Sequence, residues 1–170
     1  MQGIFILYSC FVFYMPEKME NCRVILGKSS ENEEMYLKAV WLLEEGGKCP
    51  VHAADVAKTL GLALPSVVEM FKKLQQRKLV KYDGRKGVKL LSKGRVVAQK
   101  IVRNLRLTEV WFRDVLKIDF NSTDPCRFEH VITDDIAKAL SRGRGYPAHC
   151  PHGKLISKIF FFFFGFVLFF

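Results

Sequence analysis

VHAADVAKTLGLALPSVVEMFKKLQQRKLV, residues 51–80, decides the fold. Apolar residues recur at helical spacing on both sides of Gly61. Pro65 stands where a second helix would begin, a first-turn position at which its missing amide hydrogen costs nothing. The stretch predicts two short helices around a glycine-containing turn, the arrangement in which a second helix can enter a DNA major groove. Residues 79–94, LVKYDGRKGVKLLSKG, then alternate apolar with basic side chains on either side of Asp83-Gly84-Arg85-Lys86-Gly87, which signals a β-hairpin. A helix-turn-helix followed by a basic-tipped hairpin makes a winged helix. The competing reading is a generic small α+β core.

Upstream, residues 29–47, SSENEEMYLKAVWLLEEGG, combine Ser caps, first-turn acids and a Gly-Gly stop around Tyr36, Ala39, Val40 and Leu43, the i, i+3, i+4, i+7 spacing of a first helix. Downstream, Ser92 caps a longer helix expected from about Lys93 to Lys117. Its apolar Val96, Val97, Ile101, Leu105, Val110, Trp111 and Val115 exceed what one face of a single domain needs. Such a helix packs well against its twin. A homodimer would also set two recognition helices one turn of duplex apart. The fold expected is mainly α with a small β wing: a winged helix-turn-helix over 29–94, then a helical dimerisation domain over 95–156.

Charge supports a polyanionic partner. The chain carries a net +10 over 170 residues, and between Lys72 and Arg106 stand thirteen Lys and Arg against one acid, Asp83. So dense a local positive field suits double-stranded DNA, which binds through counterion release, although a basic run can also be a solvated face. Five cysteines without regular spacing do not read as a secreted disulfide framework, and a reducing cytoplasm fits better.

Both ends differ from the middle. Residues 1–28 open on an apolar run, MQGIFILYSCFVFYM, with no cation before it. Residues 157–170 form a Phe-rich tail with eight of the fifteen phenylalanines in the last eleven positions. Each run falls short of the roughly 20 apolar residues of a spanning helix. They read as low-complexity extensions, with Met15 and Met19 as alternative starts, in preference to a tail anchor, and no membrane role is expected.

Residues 126–130, CRFEH, bring a thiol, a carboxylate and an imidazole together in a chain with four histidines. With Pro125 before them these residues are expected to be helical, which puts Cys126, Glu129 and His130 at i, i+3 and i+4 on one face. Such a donor set suits a borderline first-row divalent metal and disfavours calcium or magnesium. A partly buried cysteine beside a Glu–His pair would give the same spacing, so the three residues alone leave both readings open.

EMYLKAVWLLEEGG and CRFEHVITDDIAKAL, in that order around a winged helix, resemble the diphtheria toxin repressor family of iron-dependent transcriptional regulators, over about residues 31–156. The resemblance implies a primary activating metal site at Met35, Cys126, Glu129 and His130. It implies Fe(II) more than Mn(II) or another divalent transition metal, because the manganese-responsive branch has Asp where this chain has the softer thioether of Met35. The ancillary site of the family maps onto Leu105, Glu109 and Ser122, where Glu109 alone can ligate. That site is therefore absent or rebuilt from other ligands. The C-terminal β-barrel domain of many members has no match, so the chain resembles a short or truncated member.

On the recognition helix the resemblance aligns Pro65, Ser66 and Glu69 with residues facing bases and phosphates, with Lys72 and Lys73 on the flank. Arg85 and Lys86 would act from the wing. Glu69 could accept from cytosine N4 or pair with Lys72 or Lys73 on its own helix. Cys49 and His52 could join His149, Cys150 and His152 in a zinc site, but the gap is far from a zinc-finger spacing, and CPHGK is expected to be a turn. The reading is a metal-activated dimeric repressor of metal-homeostasis genes acting on a palindromic operator, with no small-molecule substrate. A metal-independent winged-helix regulator is its rival. An enzyme is not expected, because the sequence offers no nucleophile, phosphate loop or spare acid pair.

Overall fold

The computed structural model describes residues 29–118 and 128–157, together with the backbone of two short strands near the C-terminus. The chain divides into two compact units, Met1–Ile101 and Val102–Phe170.

The first unit is a winged helix. Helices α1 (Ser29–Glu45), α2 (Ala53–Leu60) and α3 (Leu64–Gln76) precede an antiparallel hairpin, β1 (Val80–Asp83) and β2 (Gly87–Leu90), after which α4 (Ser92–Trp111) begins. The α2–α3 turn follows from Gly61, whose left-handed φ of 62° closes α2 while Leu62 N donates to Ala57 O. Pro65 occupies the first turn of α3. At the start of α2 the backbone N–H of His52 donates to the Asp55 carboxylate, which also pairs with Lys48 at 2.8 Å.

α3 turns Val67, Phe71 and Leu74 inward, all at 0 % exposure. Phe71 is the centre of this core, with Tyr36 edge-on at 6.3 Å and Tyr82 tilted at 5.3 Å between ring centroids. Met35 to Val40 on α1 are all buried, so that stretch is enclosed on every side, where the sequence led us to expect a single apolar stripe.

Two glycines bring backbone close to backbone. Gly87, at φ +84°, lies where a Cβ would come 2.4 Å from Val51 O, and this approach lets Val88 N bond Val51 O at 2.8 Å, adding a third short rung to the hairpin. A Cβ on Gly94 would meet Leu79 O at 2.0 Å, and Leu91 N donates to that same carbonyl at 2.9 Å.

In the second unit the long helix changes character. Its α-helical part stops at Trp111, and Phe112–Leu116 continue as a π-helix closed by Lys117 in the left-handed region, where one uniform helix to Lys117 was expected. The wider turn accompanies two outer tethers: Trp111 Nε1 donates to Leu140 O at 2.9 Å, and Arg144 Nη2 donates to Asp114 at 2.9 Å. The Asp114 carboxyl is held down at about 2, first by its hydrogen bond from Arg113 and then by Arg144.

Helix α5 (Asp134–Gly143) starts at Thr133, whose Oγ1 accepts from Ile136 N at 3.3 Å, with Asp134 and Asp135 in the first turn. Residues Phe128 to Val131 are a turn and the helix opens only at Asp134, which corrects the helical reading of CRFEHVITDDIAKAL over 128–133, while Cys126 and Arg127 lie outside the described residues. Leu107, Val110, Ile132, Ala137, Cys150 and Ile156 form the core of this unit. Two strands, β3 (Phe161–Phe163) and β4 (Phe166–Leu168), pair antiparallel in the tail. Among the described residues no helix is long and apolar enough to cross a membrane.

Candidate metal centre and DNA-binding surface

The face of α3 opposite the core is exposed at Pro65, Ser66, Glu69, Lys72 and Lys73. At the wing tip Arg85 and Lys86 are exposed as well, and their backbone N–H groups both donate to Asp83 Oδ1, at 2.8 and 3.1 Å. Those two bonds hold the Asp83 carboxyl below its ordinary value, so the turn keeps its anion and its shape in mildly acid solution. Tyr82 N donates to Gln75 Oε1 at 2.6 Å, tying the wing to the C-terminal end of α3. Wing and recognition helix thus present their cations from one braced frame.

Lys73 has a partner that its sequence neighbourhood does not reveal. Glu33 of α1, 4 % exposed, sets one carboxylate oxygen 3.7 Å from Lys73 Nζ and accepts from Arg77 Nη1 with the other. Lys73 therefore pairs across the domain with Glu33, where a partner on its own helix, Glu69, was one of the expected alternatives. Both cations stay about half exposed, at 53 % and 56 % of their side chains. Glu33 thus offsets part of the positive charge on this face. Glu33→Gln is expected to steepen the fall of log K with log[salt] by about 1 to 2, as one or two more cations become available to phosphate. Fluorescence titrations of a duplex at several salt concentrations read this slope, and an unaltered slope would show that Lys73 and Arg77 stand outside the contact zone.

In the second unit Glu129 and His130 come together on the Phe128–Val131 turn. His130 Nε2 lies 3.2 Å from Glu129 Oε1, and the two side chains are 2 % and 0 % exposed. Burying a carboxylate this completely is costly unless charge or hydrogen bonds compensate it, and an imidazole beside it supplies a second donor of the kind that divalent metals take. Met35 is buried at 6 % exposure in the first unit. Cys126 and Ser122 lie outside the described residues.

A second group stands beside the long helix. Ligating atoms of Glu109, Cys150 and His152 all lie within 4.8 Å of one another, and His152 Nδ1 is 3.3 Å from Glu109 Oε2. Glu109 and Cys150 are buried, at 2 % and 5 % exposure. CPHGK is the turn expected from sequence: Gly153 N donates to Cys150 O, Cys150 N to Lys154 O, and Ile156 N to Ala148 O. That turn aims the thiol and the imidazole at Glu109, and Arg106 Nη1 braces it through Leu155 O at 2.6 Å. From sequence, Glu109 is a possible ancillary ligand and Cys150 and His152 belong to a turn; that these three meet is what the sequence does not reveal. The Cys-x-His spacing was the available signal, but its third member lies 41 residues earlier than Cys150 in the chain (150 minus 109). Leu105, buried at 8 % exposure, offers no ligating atom. Thiolate, imidazole and carboxylate suit a borderline divalent metal here as they do at CRFEH.

Comparison with known proteins agrees with both halves. The model of the iron-dependent repressor N-terminal DNA-binding domain matches residues 28–88, and that of the iron-dependent repressor metal binding and dimerisation domain matches residues 91–158. The iron-dependent repressor IdeR of Mycobacterium leprae is 30% identical over 128 residues, covering 74% of this chain and 55% of the relative. The diphtheria toxin repressor of Corynebacterium diphtheriae is 28% identical over 128 residues, 74% of this chain and 56% of that protein. Among solved structures, the manganese regulator SloR superposes with a TM-score of 0.65 at 30% identity, over 74% of this chain and 59% of that one. The chain thus spans about half the length of the curated relatives it matches.

Proposed function

Because this chain belongs to the iron-dependent repressor family, we propose that it is a metal-activated, homodimeric repressor that binds a palindromic operator in the cytoplasm and controls metal-homeostasis genes. One observation carries the reading. The first unit is a basic winged helix, and the second encloses two carboxylate–imidazole pairs, Glu129 with His130 and Glu109 with His152, the second joined by the Cys150 thiol.

Met35, Cys126, Glu129 and His130 form the activating site, and Glu109, Cys150 and His152 the ancillary one. A divalent metal, when bound, supplies positive charge that compensates the buried carboxylates and directional bonds that hold these side chains in one arrangement. Its free energy need favour the DNA-competent form by only a few kcal/mol to shift the population. DNA affinity comes from Lys72, Arg85, Lys86 and the share of Lys73 not held by Glu33. Pro65, Ser66 and Glu69 face the bases, where Glu69 can accept from cytosine N4.

Fe(II) is the metal we assign. The thioether of Met35 together with a Cys126 thiolate makes a softer set than carboxylates alone, and that favours Fe(II) over Mn(II). Met35→Asp is expected to move selectivity toward Mn(II) by about tenfold or more in the ratio of activating concentrations. Activation curves with each metal measure it, and a constant ratio would remove Met35 from the ligand set.

The decisive experiment is anisotropy of a labelled duplex from the region upstream of the gene itself, titrated anaerobically with protein and Fe(II), Mn(II) or chelator. Binding that appears with Fe(II) and vanishes with chelator is expected. Binding indifferent to metal would leave a winged-helix regulator without a metal switch.

A further inference from the structure

Asn104 lies within α4, wholly buried at 0 % exposure. Asparagine is a poor residue for a helix interior, and a buried amide is tolerated only when its donors and its acceptor are matched. Here all are matched. Nδ2 donates to Glu129 O at 3.1 Å and to Ile132 O at 3.0 Å. Oδ1 accepts from Arg103 Nε at 3.3 Å and Nη2 at 3.1 Å. Arg103 Nη2 also donates to Asp134 Oδ1 at 3.0 Å, from a side chain 9 % exposed.

The chain of contacts therefore runs from Asp134 at the start of α5, through Arg103, to the amide of Asn104, and ends on two backbone carbonyls. Those carbonyls bracket one segment. Glu129 O and Ile132 O lie on either side of His130, so the backbone that carries the buried carboxylate and imidazole is pinned at both ends to α4. A carbonyl fixed at residue 129 limits the rotation of the peptide that joins Glu129 to His130, and with it the directions in which both side chains leave the backbone. Simple satisfaction of two buried carbonyls would need only some donor. An amide clamped by a guanidinium that is itself clamped by a carboxylate fixes orientation as well.

We propose that Asn104 is a positioning residue for the metal centre, setting the geometry of Glu129 and His130 through their backbone. The inference rests on the reading of those two residues as metal ligands. Partners that orient ligands without touching the ion characteristically govern affinity by 10- to 100-fold.

The test uses the full chain with Co(II) as probe, in a His152→Ala background so that the Glu109 cluster contributes no imidazole. Asn104→Asp keeps the volume but puts an acceptor where two carbonyls need a donor. It is expected to weaken Co(II) by about 10- to 100-fold and to alter the visible ligand-field bands, while far-UV circular dichroism and metal-independent binding to random duplex stay as in the parent. Parent affinity and parent bands in Asn104→Asp would overturn the proposal. If Asn104→Asp shows no cooperative unfolding, Arg103→Lys decides instead, since it leaves the Asn104 donors in place and removes only the fork on Oδ1. A Co(II) loss of about 3-fold or more with altered bands is then expected, and parent behaviour overturns the proposal. Absence of any Co(II) spectrum in the parent itself would instead sink the metal-site reading, which separates the two failures.

Discussion

Replacing His130 with alanine is expected to abolish metal-dependent operator binding, with metal affinity falling by more than about 100-fold, beyond what the loss of an outer partner costs. The reason is local. His130 Nε2 sits 3.2 Å from Glu129 Oε1 in a site closed to water, and no other imidazole lies on that turn. Removing it leaves a carboxylate in the interior with one compensating group fewer, so a companion variant, His130→Gln, keeps an amide donor beside Glu129 and separates metal binding from packing. Both variants should bind random duplex weakly, and with the salt dependence of the parent, because the cations of α3 and the wing belong to the other unit. Anisotropy with and without Fe(II) measures the outcome. A metal response retained in both variants would remove His130 from the centre.

Phe71→Ala should act in the opposite pattern, destroying DNA binding whether or not metal is present. Phe71 is fully buried on the recognition helix and packs against Tyr36 of α1 and Tyr82 of the wing, so one ring joins the three elements that set the DNA-binding frame. Truncating a buried phenylalanine costs about 3–5 kcal/mol, a large part of the 5–15 kcal/mol that holds a typical domain. A drop in melting temperature on the order of 20 °C is expected for a unit of this size. Differential scanning calorimetry would show it, and a shift of only a degree or two would mean that the neighbouring rings close the cavity.

Much of the first unit was legible because its signals are local. Helical periodicity, the Gly61 turn, Pro65 in the first turn of α3 and DGRKG at the hairpin each act within a few residues, and each names its element. The helical reading of Phe128–Val131 failed for a physical reason. Pro125 and the i, i+3, i+4 spacing resemble the start of a helix, but Thr133-Asp134-Asp135 is the stronger start signal, because its hydroxyl accepts from Ile136 N and its acids complement the helix dipole. Weighing that cap against the proline would have found the turn.

What stayed hidden depends on distant pairings. Glu33 reaches Arg77 across 44 residues, and His152 reaches Glu109 across 43. No periodicity within a helix records either contact. Asn104 was equally silent, since an Asn in a basic run reads as a surface residue until its burial and its two carbonyl partners are known.

The close approach of Gly94 to Leu79 has a consequence for how this sequence can vary. Every first- or second-base change in a glycine codon installs a side chain or a stop, and any side chain begins with a Cβ that here falls 2.0 Å from a backbone oxygen. That oxygen cannot rotate away as a flexible side chain could, because it already accepts from Leu91 N. Drift at codon 94 therefore has no neutral amino-acid step open to it. A side chain at position 94 would be accommodated only if the backbone at Leu79 and that of the long helix moved apart.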